Sequence, residues 1–197
     1  MRQERSDTRA PTTRILPVQG FGLSLLAMGL LLASGCWQKA ERDMEERVDG
    51  MEGHLLELFE AADAVRADDP RAYRQAMKAL SKVGGLPGVD DAGLEAVRTA
   101  ALAASAAEEG DRAQRAQGLV AVSGACVSCH TQLGGEAPSL QGVDGDAATL
   151  ALTAYVWRDD ALWTRAADAA RADGAPWPTQ EPPWGQRGAV VAKLLTR

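Results

Sequence analysis

Cys126-Val127-Ser128-Cys129-His130 brings two thiols and an imidazole within five residues of a 197-residue chain. Thiols at this spacing can add across the two vinyl groups of a haem, each forming one C–S bond. The histidine that follows then binds the iron through Nε2. Disulfide exchange is a competing chemistry for a CxxC pair, but such pairs usually open a helix after a strand, and no βαβ pattern precedes Cys126. A zinc site needs about four ligands. Beyond carboxylates and the N-terminal segment, the chain adds only His54 to these three. The motif therefore predicts one covalent haem c, with Cys126 and Cys129 as thioether donors and His130 as the proximal ligand.

The opposite face of the iron is open to several readings. No Met and no His follows His130, so a sixth ligand must come from upstream or be absent. Met51 falls on the apolar stripe of the first predicted helix, and His54 stands one turn later on the flank of the same face. Met44 and Met77 are further candidates, and any of these methionines can equally be core filling. A Met/His or His/His pair saturates the iron and suits electron transfer. A five-coordinate haem with an apolar distal side suits a diatomic gas.

The elements that must position these groups are helical. Composition is alanine-rich, with 46% hydrophobic, 5% aromatic and 24% charged residues, which favours a mainly helical globule. Met44, Val48, Met51, Leu55, Leu58, Ala62 and Val65 recur at steps of four and three, predicting a helix over 39–67. Asp69-Pro70 ends it and begins a second over 71–82. After the Gly84-to-Gly88 break a third is expected over 91–107, and a fourth over 111–133 carries the haem motif on its C-terminal half. Four helices with short connections predict an all-α fold, an antiparallel four-helix bundle over 36–134. A loop over 134–145, a helix over 147–172, a Pro/Trp-rich passage and a short helix over 189–195 make 135–197 a C-terminal helical extension. That extension could wrap the haem edge or cap the bundle. The segment Ala61-Ala62-Asp63-Ala64 with Arg66-Ala67-Asp68 is echoed by Ala166-Ala167-Asp168-Ala169 with Arg171-Ala172-Asp173, an echo that so alanine-rich a chain can produce by coincidence.

Arg2, Arg5, Arg9 and Arg14 precede an apolar stretch from Phe21 to Ala33. It is shorter than the roughly 20 residues a spanning helix needs and reads as an export signal. Leu32-Ala33-Ser34-Gly35-Cys36 resembles the lipobox of bacterial lipoproteins. The resemblance implies cleavage after a 1–35 signal peptide, acyl chains such as palmitate on Cys36, and a membrane partnership through that anchor. Trp37 stands where an Asp would signal inner-membrane retention, which favours the outer membrane. Net charge is −6, and the four arginines above sit in the leader, so the remainder is more acidic still. That excludes nucleic acid as the expected partner and suits basic faces on redox proteins.

With Cys126-Val127-Ser128-Cys129-His130 late in a fourth helix and Arg47-Val48-Asp49-Gly50-Met51 in the first, residues 39–134 resemble the class II, cytochrome c-prime-like, c-type cytochromes. The resemblance implies a four-helix haem-binding bundle in which Met51 faces the iron. An aromatic and an Arg usually follow the haem histidine in that family at the positions held here by Leu133 and Gly134. The expected role is a lipid-anchored periplasmic electron carrier working with redox partner proteins. The alternative is a gas-binding or sensing haem protein. No Ser-His-Asp set or paired catalytic carboxylates stand out, so an enzyme is not expected.

Overall fold

The computed structural model describes residues 53–84, 91–106, 110–133 and 143–197. The leader, Cys36, Met44, Met51, residues 39–52 of the expected first helix and most of the expected 134–145 loop lie outside the described residues. All seven described elements are helices, so the chain is all-α. They are α1 (53–66), α2 (Pro70–Leu80), α3 (Asp91–Ala106), α4 (Arg112–Leu133), α5 (Ala147–Trp157), α6 (Asp160–Ala172) and α7 (Trp184–Leu195).

Periodicity locates α2, α3 and α4 to within two residues because their starts carry strong local signals. The Asp69 side chain accepts from the Ala72 N–H while Pro70 occupies the first turn. Asp111 and Gln114 exchange bonds reciprocally, Asp111 accepting from the Gln114 N–H and donating its own N–H to the Gln114 side chain. This is a capping box at the head of the helix that bears Cys126, Cys129 and His130. The predicted stripe of α1 is largely buried, with Leu58, Ala62 and Val65 in the core and Leu55 packed against it.

The expected single helix over 147–172 is instead two. Arg158 adopts φ 53° and the Asp159 N–H bonds back to the Ala154 carbonyl, closing α5. Asp159 then caps α6 by accepting from the Leu162 N–H at 2.8 Å. Apolar periodicity alone cannot see this break, because it turns on one left-handed residue that is not glycine. The same device closes α1, where Asp68 has φ 54° and Asp69 N–H reaches Ala64 O, and α6, where Gly174 has φ 61° and Ala175 N–H reaches Ala170 O. The two echoed segments are thus both helix ends, each with its Arg bridging back to an Asp three residues earlier, Arg66 to Asp63 and Arg171 to Asp168. The last helix also begins earlier than expected, at Trp184 directly after Pro182-Pro183.

The described residues from 53 onward share one main core. α3 lies along α4 and α5 along α6, α2 packs on α3, and α7 packs on both α4 and α5. Ala147, Ala148, Leu150, Ala151, Leu152, Ala154 and Val156 are all buried. A helix apolar around its whole circumference belongs inside a fold rather than on it. The segment after 143 is therefore continuous with the core of the preceding helices. Close approach of backbones makes this possible. A Cβ on Gly188 of α7 would stand 2.6 Å from Val120 of α4, and one on Gly118 would stand 2.6 Å from the Tyr73 hydroxyl.

Ion pairs pin the layers at their edges, with the Arg115 and Arg187 side chains buried and their carboxylate partners exposed. Arg115 bonds Asp68 and the Gly110 carbonyl, and Arg66 of α1 bonds Asp146, the N-cap of α5. Arg187 lies over the Trp184 ring at 3.6 Å and the Trp163 ring at 4.7 Å, and pairs with Asp160 and Glu181. It thereby clamps the Pro/Trp passage to α6 and α7.

Two substitutions at the α5–α6 break have opposite expected effects on urea unfolding. Asp159→Ala removes a cap and lowers stability by about 1 kcal/mol. Arg158→Gly relieves the left-handed backbone and raises it by up to about 1 kcal/mol, less the entropy glycine adds to the unfolded chain.

Candidate haem-binding site

Cys126, Cys129 and His130 stand at i, i+3 and i+4 on α4, so all three side chains leave one face near its C-terminal end. Deeper on the same helix, Leu119 and Val122 are fully buried and lock that face toward the core. A cleft opens over it. It is lined by His54, Leu55 and Leu58 of α1, by Leu80 at the end of α2 and Val83 just after it, and by Leu94 and Val97 of α3. Val156 and Trp157, the end of α5, complete it. Val83, Leu94 and Cys129 also form a small apolar cluster of their own.

The end of α5 does more than fill space. Its Schellman-type closure uses the Ala154 carbonyl and leaves the carbonyls of the last residues without intrahelical donors. One of these, Val156 O, lies 3.4 Å from His130 Nδ1. A carbonyl can only accept, so this contact is a hydrogen bond when the imidazole hydrogen is on Nδ1, which leaves the Nε2 lone pair for a metal. The next residue, Trp157, stacks on the imidazole with ring centroids 4.0 Å apart and planes 9° from parallel. Neither partner of His130 was among the residues singled out from sequence. The signal that points to them is Arg158-Asp159-Asp160, where a capping Asp interrupts the helical pattern.

Electrostatics keep the imidazoles neutral and the Cys126 thiol protonated. Burial lowers the pKa of His130, the Val156 carbonyl pulls it back up, and His54 across the cleft pushes it down again. Burial lowers His54 as well. Burial pushes the Cys126 thiol up to about 12, with Cys129 adding to the shift and a backbone hydrogen bond opposing it. Reactive CxxC pairs have the reverse arrangement, a thiolate stabilised by a helix N-terminus. Cys126 sits near the negative end of its helix dipole instead.

These residues fit a haem in donor set and in polarity: two thiols and an imidazole from α4, a second imidazole from α1, and aliphatic side chains around them. Among the described residues, no three His, Cys, Asp or Glu side chains converge on a bare metal ion. The free cavity is about 40 Å³, room for a water molecule or so, so the walls formed by α1, α2 and α3 must part to admit a macrocycle. Of the distal candidates, His54 lines the cleft, whereas Met77 is buried in the core away from it.

No protein-family model, curated protein or solved structure matches the chain. The site must be read from its own geometry.

Two measurements on protein prepared without haem test this picture. At about pH 8, Cys126 should alkylate with iodoacetamide about a hundredfold or more slowly than a small-molecule thiol, because so little of it is thiolate. Its stability should also depend on the histidines. Both folded pKa values lie below the ordinary 6.5, so the unfolded chain takes up protons first. Their contribution is fully present above about pH 6.5 and is lost as the pH falls through the lower folded values. The urea midpoint should therefore drop between about pH 7 and pH 5, and His54→Leu should reduce that drop.

Proposed function

We propose that the protein is a c-type cytochrome that carries electrons on the periplasmic side of a bacterial membrane. In this reading a single haem c is held by thioethers from Cys126 and Cys129, with His130 as its proximal iron ligand. The observation that carries the reading is the pairing of His130 Nδ1 with the Val156 carbonyl on the same helix face as both thiols, at the edge of an apolar cleft. An imidazole that donates from Nδ1 keeps Nε2 free of hydrogen, as an iron ligand requires. When bound, the haem supplies a one-electron couple whose potential depends on its axial ligands and surroundings.

The protein's own groups would do the rest. Cys126 and Cys129 give up their thiol hydrogens on attachment, and the apolar walls keep water from the iron. The His54 imidazole, its pKa lowered by burial, offers a second nitrogen from another helix that lines the same cleft. This favours His54 as the sixth ligand, and hence electron transfer over gas binding. The resemblance to class II cytochromes carries Met51 as the alternative. The finer architecture belongs to the same proposal, with α1–α4 as an antiparallel four-helix bundle and the helices after residue 143 as its extension. So does export through residues 1–35 and anchoring through acylated Cys36, with the outer membrane favoured, redox proteins as partners, and neither nucleic acid binding nor an enzymatic reaction.

Co-expression with a haem-attachment system should yield one haem per chain by pyridine haemochrome, a covalent mass increase, and loss of both in Cys126→Ala/Cys129→Ala. A chain that stays colourless under these conditions would sink the proposal. His54→Ala and Met51→Ala, made separately, assign the distal side. The His54 variant should turn high-spin and bind carbon monoxide rapidly while the Met51 variant keeps the wild-type spectrum. High-spin haem that binds carbon monoxide in the unmutated protein would favour the gas-binding role instead.

A further inference from the structure

Resting on the cytochrome reading, we propose that Trp157 is a positioning residue for the iron ligand, fixing the plane of the His130 imidazole from a helix other than the one that bears it. One hydrogen bond, from Nδ1 to the Val156 carbonyl, constrains a single point of the ring and leaves its tilt about that point free. The Trp157 indole, parallel to within 9° and centred 4.0 Å away, lies flat against the imidazole face and removes that freedom. Both constraints come from consecutive residues in the last turn of α5. That turn is held where it stands by the Arg158 closure behind it and by the packing of α5 on α4, α6 and α7.

The orientation of an axial imidazole plane sets how its orbitals mix with those of the iron, so a ring clamped in one plane gives one ligand field and a free ring gives several. Burial of the indole N–H is not what places a tryptophan here. The Nε1 atom is buried without a hydrogen-bond acceptor among the described residues, a cost that a polar role would have avoided. The flat apolar face accounts for the residue.

The test uses the full-length haem-loaded protein and compares Trp157→Phe, which keeps a flat ring without the N–H, with Trp157→Leu, which removes the ring. Haem content and far-ultraviolet circular dichroism establish that each variant is loaded and folded. Should the Leu variant not fold, Trp157→Met fills the volume without a ring face and is read in its place. The expected result is a ferric electron paramagnetic resonance spectrum and midpoint potential close to wild type for Phe. For Leu or Met, the single set of g-values should be lost to a broadened mixture, with a displaced potential. Wild-type spectra and potential in the Leu or Met variant would overturn the inference. So would a Phe variant displaced as far as Leu, since the N–H would then be the active group. Absence of haem from the wild-type chain is a separate outcome and bears on the cytochrome reading itself.

Discussion

The candidate site depends on a helix that stops. If α5 continued through Arg158, the Val156 carbonyl would accept from an amide four residues on and have nothing to offer His130. Because Arg158 turns left-handed and Asp159 caps the next helix, that carbonyl is left over at the end of a buried helix. A buried carbonyl without a partner costs free energy, and His130 answers it when its ring hydrogen is on Nδ1. The backbone constraint at 158 and the chemistry at 130 are thus one arrangement. The same break allows α6 to pack along α5, which buries α5 on all sides and gives the Trp157 ring a rigid mount.

A second dependence runs through small residues. α4 carries the thiols and the imidazole on one face, and it also meets α3, α5 and α7. Three neighbours around one helix require short distances, supplied by Gly118 against Tyr73 and by Gly188 of α7 against Val120. Two buried hydroxyls are answered within their own turns, Ser123 by the Leu119 carbonyl and Thr153 by that of Thr149, whereas the Tyr73 hydroxyl facing Gly118 is buried without a partner among the described residues. Alanine-rich helices suit this design, because their cores come from backbone proximity more than from side-chain bulk.

What the sequence made legible divides along the same lines. Helices α2, α3 and α4 announce their ends through Asp69-Pro70, the Asp111/Gln114 pair and the glycines between them, and the spacing of Cys126, Cys129 and His130 puts all three on one face of α4. The break at Arg158 was hidden because the left-handed position is held by an arginine, and the alanine pattern runs on through it. The start of α7 was hidden because Gly185 and Gly188 look like loop residues, although Gly188 is there to admit Val120. The partners of His130 were hidden for a deeper reason. One is a backbone carbonyl, which every residue has, and it becomes distinctive only when the helix around it ends. Of Met51 and His54, the described residues include His54 alone, and it lines the cleft.

The smallness of the cavity has a bearing on the order of assembly. The chain is made from its N-terminus, so α4 with its thiols exists before the α5 turn that backs it and the α7 helix that braces it. A pocket of about 40 Å³ whose lining runs from His54 of α1 to Trp157 of α5 is complete only once α5 has been made. Until then the face of α4 that bears Cys126, Cys129 and His130 lacks the wall that Val156 and Trp157 give it.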